Sequence, residues 1–343
     1  MTFKDRRFCA DAFQFIAKHE MIQPQKRYLL AVSGGIDSMV LLHFFQRFAG
    51  PRYGCEFAVA HLDHALRPES AEQARTLMDY CAAQQIPVWS TRRTPTVLST
   101  ESSLESRARQ TRYAWFAELL QTESYDAVVT AHHAQDQAET VLMKWLRGSV
   151  GLVGMRPIAQ SSAGVSILRP FLNQPRSELE HYHAFHQLLC LEDPSNQEMG
   201  FLRNRVRHQL LPWFRDENPR WETELTAHLT VSQGEQDYLD SEAERHYMGC
   251  VSESGPIWSL HTNAFLALHP ALQRRILKRL LTRFHGEWKR FSLKHIEALI
   301  ALAVAQGGKG LELPFKIYVK KQKRNLFFEK ESAKNGGRSL IDC

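Results

Sequence analysis

From about residue 28 to residue 131, short apolar runs alternate with longer segments whose apolar positions recur every three or four residues. The short runs at 28–32, 57–61, 88–92 and 127–131 predict strands, and the segments at 37–48, 69–85, 104–120 and 136–146 predict helices. A helix after every strand is the pattern of a parallel sheet covered on both faces, so the expected class is α/β, doubly wound and mainly parallel. The helix at 37–48 is apolar on nearly all sides (Met39, Val40, Leu41, Leu42, Phe44, Phe45), as a helix packed on such a sheet must be.

The pattern then changes. Residues 147–166 are rich in Gly and Ser and read as a loop. Helical spacing returns at 175–186 and 204–214, and Asp216-Glu217-Asn218-Pro219 reads as a linker. Beyond it, 221–246, 271–284 and 293–303 predict a mostly helical segment, and 311–315, 316–320 and 325–328 predict short strands in a basic setting. Two domains are expected, residues 1–216 and residues 217–343, the second closing in a small α+β unit. A length of 343 residues agrees, because single cores stop growing at roughly 250–300 residues.

Composition narrows the partners. A formal charge of +6 and a pI near 9.0 favour a polyanion. The six cysteines are scattered, with no Cys-x-x-Cys pair to hold zinc or an iron–sulfur cluster, and read as reduced structural thiols. No apolar run approaches the ~20 residues that span a bilayer, and the first residues lack the apolar stretch of a signal peptide. A cytoplasmic protein with no membrane partner is expected.

The sharpest chemical signal is Ser33-Gly34-Gly35-Ile36-Asp37-Ser38, set between the first strand and the first helix, where a doubly wound sheet places its ligand crevice. Two glycines let successive backbone N–H groups turn toward an anion, and the helix adds its positive end. Ser33 and Ser38 add hydroxyls. Asp37 suits phosphates only with a metal ion between them, which assigns it Mg²⁺. The bland alternative is an ordinary glycine turn with a polar cap.

This hexapeptide resembles the signature of the PP-loop ATP pyrophosphatases, which split ATP between the α and β phosphates. It lacks the Gly-Lys-[Ser/Thr] of a Walker A loop. Further segments narrow the likeness: His61-Leu62-Asp63-His64-Ala65-Leu66-Arg67, Ser103 to Tyr113 with Glu105, Arg109 and Arg112, and Ala131-His132-His133-Ala134-Gln135-Asp136-Gln137-Ala138-Glu139-Thr140. Gly151-Leu152-Val153-Gly154-Met155, Arg169-Pro170-Phe171 with Arg176, and Asp193-Pro194-Ser195-Asn196 with Arg203 and Arg207 follow. Together they resemble the tRNA(Ile)-lysidine synthetases, densely from residue 29 to 212 and more loosely after 221. Gln135 departs from the pattern, standing where many relatives have Asp.

The resemblance implies a PP-loop, adenine nucleotide alpha hydrolase-like fold using ATP and Mg²⁺, with tRNA(Ile) bearing a CAU anticodon and free L-lysine as partners. Carbon 2 of the wobble cytidine would be adenylated on its oxygen, releasing pyrophosphate, and lysine would then displace AMP. In that reading Asp37 holds the metal, while Ser33, Gly34, Gly35, Ile36 and Ser38 cradle phosphate. His61, Asp63 and His64 lie near the adenosine. Arg109 and Arg112, one helical turn apart, face the α phosphate, and Arg203 with Arg207 offers a second cationic pair. Asp136 is the candidate base and His133 lies near the reacting phosphate. Glu105 orients an arginine, and Glu139 caps or pairs within its helix. A homodimer is left open.

Basic residues from Arg274 to Lys294 and from Lys316 to Arg324 suit RNA, Lys320, Lys321 and Lys323 above all. Trp288 and Tyr318 can stack on bases, whereas Phe291 and Phe327 fall in apolar-periodic stretches and read as core. Other classes remain: a metal-dependent hydrolase using His61, Asp63, His64, His132 and His133, a PP-loop enzyme inserting sulfur into tRNA, an amidotransferase, and an RNA-binding module without catalysis.

Overall fold

The computed structural model describes residues 3–65, 69–94, 104–148, 154–191, 199–288 and 290–330. Leu66, Arg67, Ser103, Gly151 to Val153, Asp193 to Asn196, Lys289 and the side chain of Glu105 lie outside the described residues. The chain divides into two compact units, Met1–Thr230 and Val231–Cys343.

The first unit runs α1 (Phe3–Lys18), β1 (Arg27–Ala31), α2 (Ile36–Phe44, continued by a π turn at Phe45–Ala49), α3 (Gly50–Tyr53), β2 (Glu56–Asp63), α4 (Ser70–Ala83), β3 (Val88–Arg92), α5 (Leu104–Thr122), β4 (Ala127–Val129), α6 (Ala134–Leu146), β5 (Ile158–Gln160), β6 (Ser166–Leu168), α7 (Arg176–His186), α8 (Leu202–Arg205) and α9 (Leu211–Glu217). Its sheet has the order β3-β2-β1-β4-β6-β5. All neighbours are parallel except β5 and β6. The order reverses between β1 and β4, which opens a crevice at their carboxyl ends.

Period-two alternation fills both faces of this sheet. Leu29 of β1 joins Ala58, Tyr113, Phe116 and Val128 on one side, while Tyr28 and Leu30 join the α2 residues Met39 to Phe45 on the other. That is why α2 is apolar all round. The hairpin β5–β6 begins inside the stretch 147–166 expected to be loop and runs just past its end. Its strands have three residues each and are too short to show a period. Helix α1 buries Phe8 against Phe44, Phe171 and Tyr182.

The division between units falls inside α10 (Trp221–Cys250) rather than at the expected linker. Asn218 accepts the Arg220 N–H and ends α9 in a turn, after which Trp221 stacks on Phe214 at 4.6 Å. Trp221 and Leu225 pack against Ala138, Leu142, Val206 and Leu211, so the start of α10 belongs to the first core.

The second unit continues with β7 (Val251–Ser254), β8 (Ile257–His261), α11 (Thr262–Leu266), α12 (Pro270–His285), α13 (Leu293–Val304), β9 (Gly310–Leu313), β10 (Ile317–Gln322) and β11 (Asn325–Lys330). Its antiparallel sheet, ordered β7-β8-β11-β10-β9, turns Leu260, Ile317, Val319, Leu326 and Phe328 onto the helices. Phe291 is core, as expected, but Phe327 is not: it alternates with Leu326 and Phe328 and takes the opposite face. Lys321 also departs from expectation. Its side chain is buried, and its ammonium donates to the Ala303 carbonyl at the end of α13. It satisfies a helix terminus instead of facing solvent. All four α12 arginines are likewise engaged: Arg274 with Glu297 at 2.7 Å, Arg275 with Asp240 at 2.9 Å, and Arg279 and Arg283 with Glu244.

Candidate active site

Strand β1 ends at Ala31, and the chain turns through 33–35 into α2. Gly34 sits at φ +91°, and a Cβ there would meet Leu191 Cδ1 at 2.7 Å. Glycine is therefore required twice, for conformation and for room. The Leu191 N–H donates to the Gly34 carbonyl at 2.9 Å and braces the turn from a distant part of the chain. Ser38 staples it from within: its hydroxyl accepts from the Ser33 and Gly34 N–H groups, both at 3.2 Å, and donates to the Gly35 carbonyl at 2.9 Å.

This loop forms one wall of a cavity of about 690 Å³ above the β1 and β4 carboxyl ends. Ser33, Gly35, Ile36, Asp37, Ser38, Arg109, Arg112, Asp136 and Arg203 all line it, so three separated sequence segments meet the loop. Arg176 and Arg207 also face in, and among the described lining residues Asp37 and Asp136 are the carboxylates. The excess of guanidinium over carboxylate suits a polyphosphate.

Gly34, His133, His61, Asp63 and His64 do not line the cavity. Gly34 lies under Leu191. His61 donates from Nδ1 to the Val32 carbonyl at 2.9 Å, tying β2 to the start of the loop. Asp63 accepts from Ala65 N–H at 2.7 Å and pairs with Arg92 at 3.3 Å. His64 accepts at Nε2 from Arg112 at 3.3 Å, and burial together with that cation pushes its pKa to about 4. The histidines and Asp63 thus point to different partners, and among the described residues no group of three or more His, Cys, Asp or Glu could hold a metal ion. The hydrolase alternative has no ligand set there.

Asp136 caps α6, its Oδ2 accepting the His133 N–H at 3.0 Å. Its Oδ1 accepts from Arg203 at 2.5 Å. Burial alone would raise the Asp136 pKa, but His133, Arg203 and His132 outweigh it and hold the group well below the usual carboxylate range. His133 is fully buried between two acids, 3.6 Å from Asp37 Oδ2 and 3.5 Å from Asp136 Oδ2. Burial opposes its charge, yet the two carboxylates raise its pKa. The other Asp37 oxygen, Oδ1, is buried and has no hydrogen-bond partner among the described residues. An anionic oxygen left so is costly unless a cation meets it.

His132, a cavity wall, is the opposite case. Its Nδ1 shares a 2.7 Å hydrogen bond with the Thr130 hydroxyl. Burial, together with Arg169, Arg203 and Arg109 and against the pull of Asp136, takes its pKa down to about 3. It stays a neutral imidazole.

Glu139 does not simply pair within α6. It accepts there from Gln135 at 3.1 Å, but it also bridges Arg203 at 2.5 Å and Arg207 at 2.6 Å, two residues from beyond α7. Gln135 in turn accepts from Arg215 at 2.7 Å. Arg109 lies 4.9 Å over the Tyr113 ring. Leu191 and Thr130 were missed by sequence reasoning, and nothing in their local sequence marks them. The Glu139 bridge was legible only in retrospect, from the four-residue spacing of Arg203 and Arg207.

Taken together, the switch-point crevice, the amide turn and the ring of arginines define a nucleotide-binding domain of the PP-loop class. The PP-loop domain family matches residues 6–214, and the TilS substrate binding domain matches residues 260–326. The chain is 33% identical over 260 residues to a tRNA(Ile)-lysidine synthase of Enterococcus faecalis, covering 74% of this chain and 55% of that protein. It is 32% identical over 329 residues to the same enzyme of Geobacter sulfurreducens, covering 93% and 68%. The U34-tRNA thiolase of Methanococcus maripaludis superposes with a TM-score of 0.57 at 13% identity, over 66% of this chain and 78% of the other, a likeness of fold alone. The chain belongs to the tRNA(Ile)-lysidine synthase family. It spans a little over half the length of the Enterococcus relative.

Proposed function

We propose that this protein ligates free lysine to carbon 2 of the wobble cytidine in tRNA(Ile) with a CAU anticodon, at the expense of ATP. The single observation that carries the reading is the meeting of the amide turn, Asp37 and the arginines around one cavity at the switch point. In the first step the cytosine C2 oxygen attacks the α phosphorus and pyrophosphate leaves. The 33–38 turn supplies N–H donors to the departing phosphates. Arg109, Arg112 and Arg203 face the charge that grows on the α phosphate, where fixed donors in a water-poor site contribute several kcal/mol. Asp37 Oδ1 would hold Mg²⁺, which when bound neutralises phosphate charge.

In the second step the lysine amine attacks C2, AMP leaves and a proton must be removed. Asp136 is a weaker base than expected because both its oxygens are already bonded and its pKa is depressed. Asp136 is therefore assigned to attract the ammonium of the incoming lysine, with water taking the proton. His61 and His64 act through the Val32 carbonyl and Arg112 rather than by touching adenosine. The reaction is a C–N ligation, and we place it in the cytoplasm, where tRNA and ATP reside. No helix among the described residues is long and apolar enough to cross a membrane.

The test is incubation with ATP, Mg²⁺, CAU-anticodon tRNA(Ile) and labelled lysine. Label entering the tRNA, with AMP and pyrophosphate released in equal amounts, is the expected result. Label that stays free while a sulfur donor reacts would replace this reading with the sulfur-inserting one, against which Cys9, Cys55, Cys81 and Cys250 are buried and, among the described residues, Cys190 alone of the cysteines lines the cavity.

A further inference from the structure

Two loops of the second unit meet beside its core. One follows α12, where Gly286 at φ +102° ends the helix and Arg290 adopts φ +70°; the other joins β9 to β10, where Phe315 and Lys316 take φ +65° and +53°. Three bulky residues thus hold a conformation that L side chains rarely adopt, on two loops at one place, and such residues gather at ligand clamps. Their rings are in contact: His285 stacks on Phe315 at 3.7 Å and 22°, and Phe291 lies 5.6 Å from both Phe315 and Trp288. Phe291 is buried and anchors the group, whereas His285, Trp288 and Phe315 are only half-buried.

Cations complete the patch. Lys278 Nζ stands 5.4 Å over Trp288, and the Arg290 guanidinium stands 5.9 Å over Phe315. Among the described residues neither has a carboxylate partner, whereas Arg274, Arg275, Arg279 and Arg283 along α12 are paired with acids. Two cations that are not paired with acids thus lie where the flat rings are. An acidic peptide would satisfy the cations but not the rings. The stem of a duplex would satisfy the cations and leave the rings without bases to meet.

We propose that this patch stacks an unpaired base of the RNA substrate between the Arg290 guanidinium and the Phe315–His285 rings, with Lys278 and Lys316 on the flanking phosphates. Arg290 is exposed, so a modest swing of its side chain admits a base. The inference rests on the RNA-substrate reading, deepens it, and is separable from it in the test. Binding of the full-length protein to fluorescent CAU-anticodon tRNA(Ile), to an oligouridine strand and to a duplex of equal length would be measured for wild type, Arg290→Gln and Trp288→Leu.

Each variant is expected to bind tRNA and oligouridine roughly tenfold more weakly, about 1.4 kcal/mol, with duplex binding within twofold of wild type. Arg290→Gln alters an exposed side chain and keeps the test valid if Trp288→Leu lowers the melting temperature. Wild-type affinity for oligouridine in Arg290→Gln, or an equal loss on duplex, would overturn the stacking site. A tenfold loss on oligouridine together with no lysine transfer by wild type would sustain the site and remove the proposed activity instead.

Discussion

Asp37 carries a buried carboxylate oxygen that no described residue satisfies, and this makes it sensitive to the loss of its charge. Asp37→Asn keeps the volume and removes the charge, so pyrophosphate release should fall by at least ~100-fold, the scale of losing one preorganised charge contact, with little change in melting temperature. Chelation of divalent metal should give the same loss in wild type. Glu139 behaves differently because it is fully buried and bonded to two arginines. Breaking a buried pair from one side costs about 3–5 kcal/mol, so Glu139→Ala should lower the melting temperature by several degrees as well as the rate.

Acid sensitivity also has a residue-level source. Burial, His186 and Arg47 hold His43 at about 4, and burial with Arg112 does the same for His64. An unfolded histidine titrates near 6.5. Between those values the unfolded chain takes up protons that the fold refuses, so stability is full above about pH 6.5 and declines as pH falls toward 4. Urea titrations at pH 7, 5.5 and 4.5 should show the decline, and His43→Gln should flatten it. A flat wild-type profile would refute the assignment.

At the scale of elements, the strands β1 to β4, their helices and the phosphate turn were legible because each depends on local periodicity or on a short motif. What the sequence concealed depends on contacts distant along the chain. Phe214 and Trp221 straddle a segment composed like a linker, and only their stacking shows that α10 starts inside the first core. Lys321 and the α12 arginines looked like free surface charge, since composition cannot reveal the Ala303 carbonyl or Glu244 opposite them. Phe327 was misassigned because an apolar run of three leaves its register ambiguous until β11 pairs with β10. Gln137 holds the middle of the Gly- and Ser-rich stretch with two bonds to Met155, and a Cβ on Gly154 would meet Gln137 Oε1 at 2.6 Å. Gly154→Ala should therefore cost about 1–3 kcal/mol, visible as a shift in the denaturant midpoint; an unchanged midpoint would mean that the amide moves aside freely.

For the whole molecule, the net charge of +6 overstates what RNA can use, because so many cations are committed to acids within the second unit. Affinity for tRNA should fall with salt, and Lys278→Gln should reduce the slope by roughly 0.7, the value for one single-strand phosphate contact. Arg275→Ala, which removes a cation paired to Asp240, should leave the slope unchanged. Should Arg275→Ala flatten it as much as Lys278→Gln, the paired cations of α12 meet RNA after all.

The amide of Leu191 gives the fold an internal clock for its ligand. It is held by the carbonyl of Gly34, so its proton can escape to solvent only when the turn loosens. Hydrogen–deuterium exchange at that one position should slow when nucleotide arrives, reporting occupancy of the first crossover from a peptide that the nucleotide motif would never have suggested monitoring.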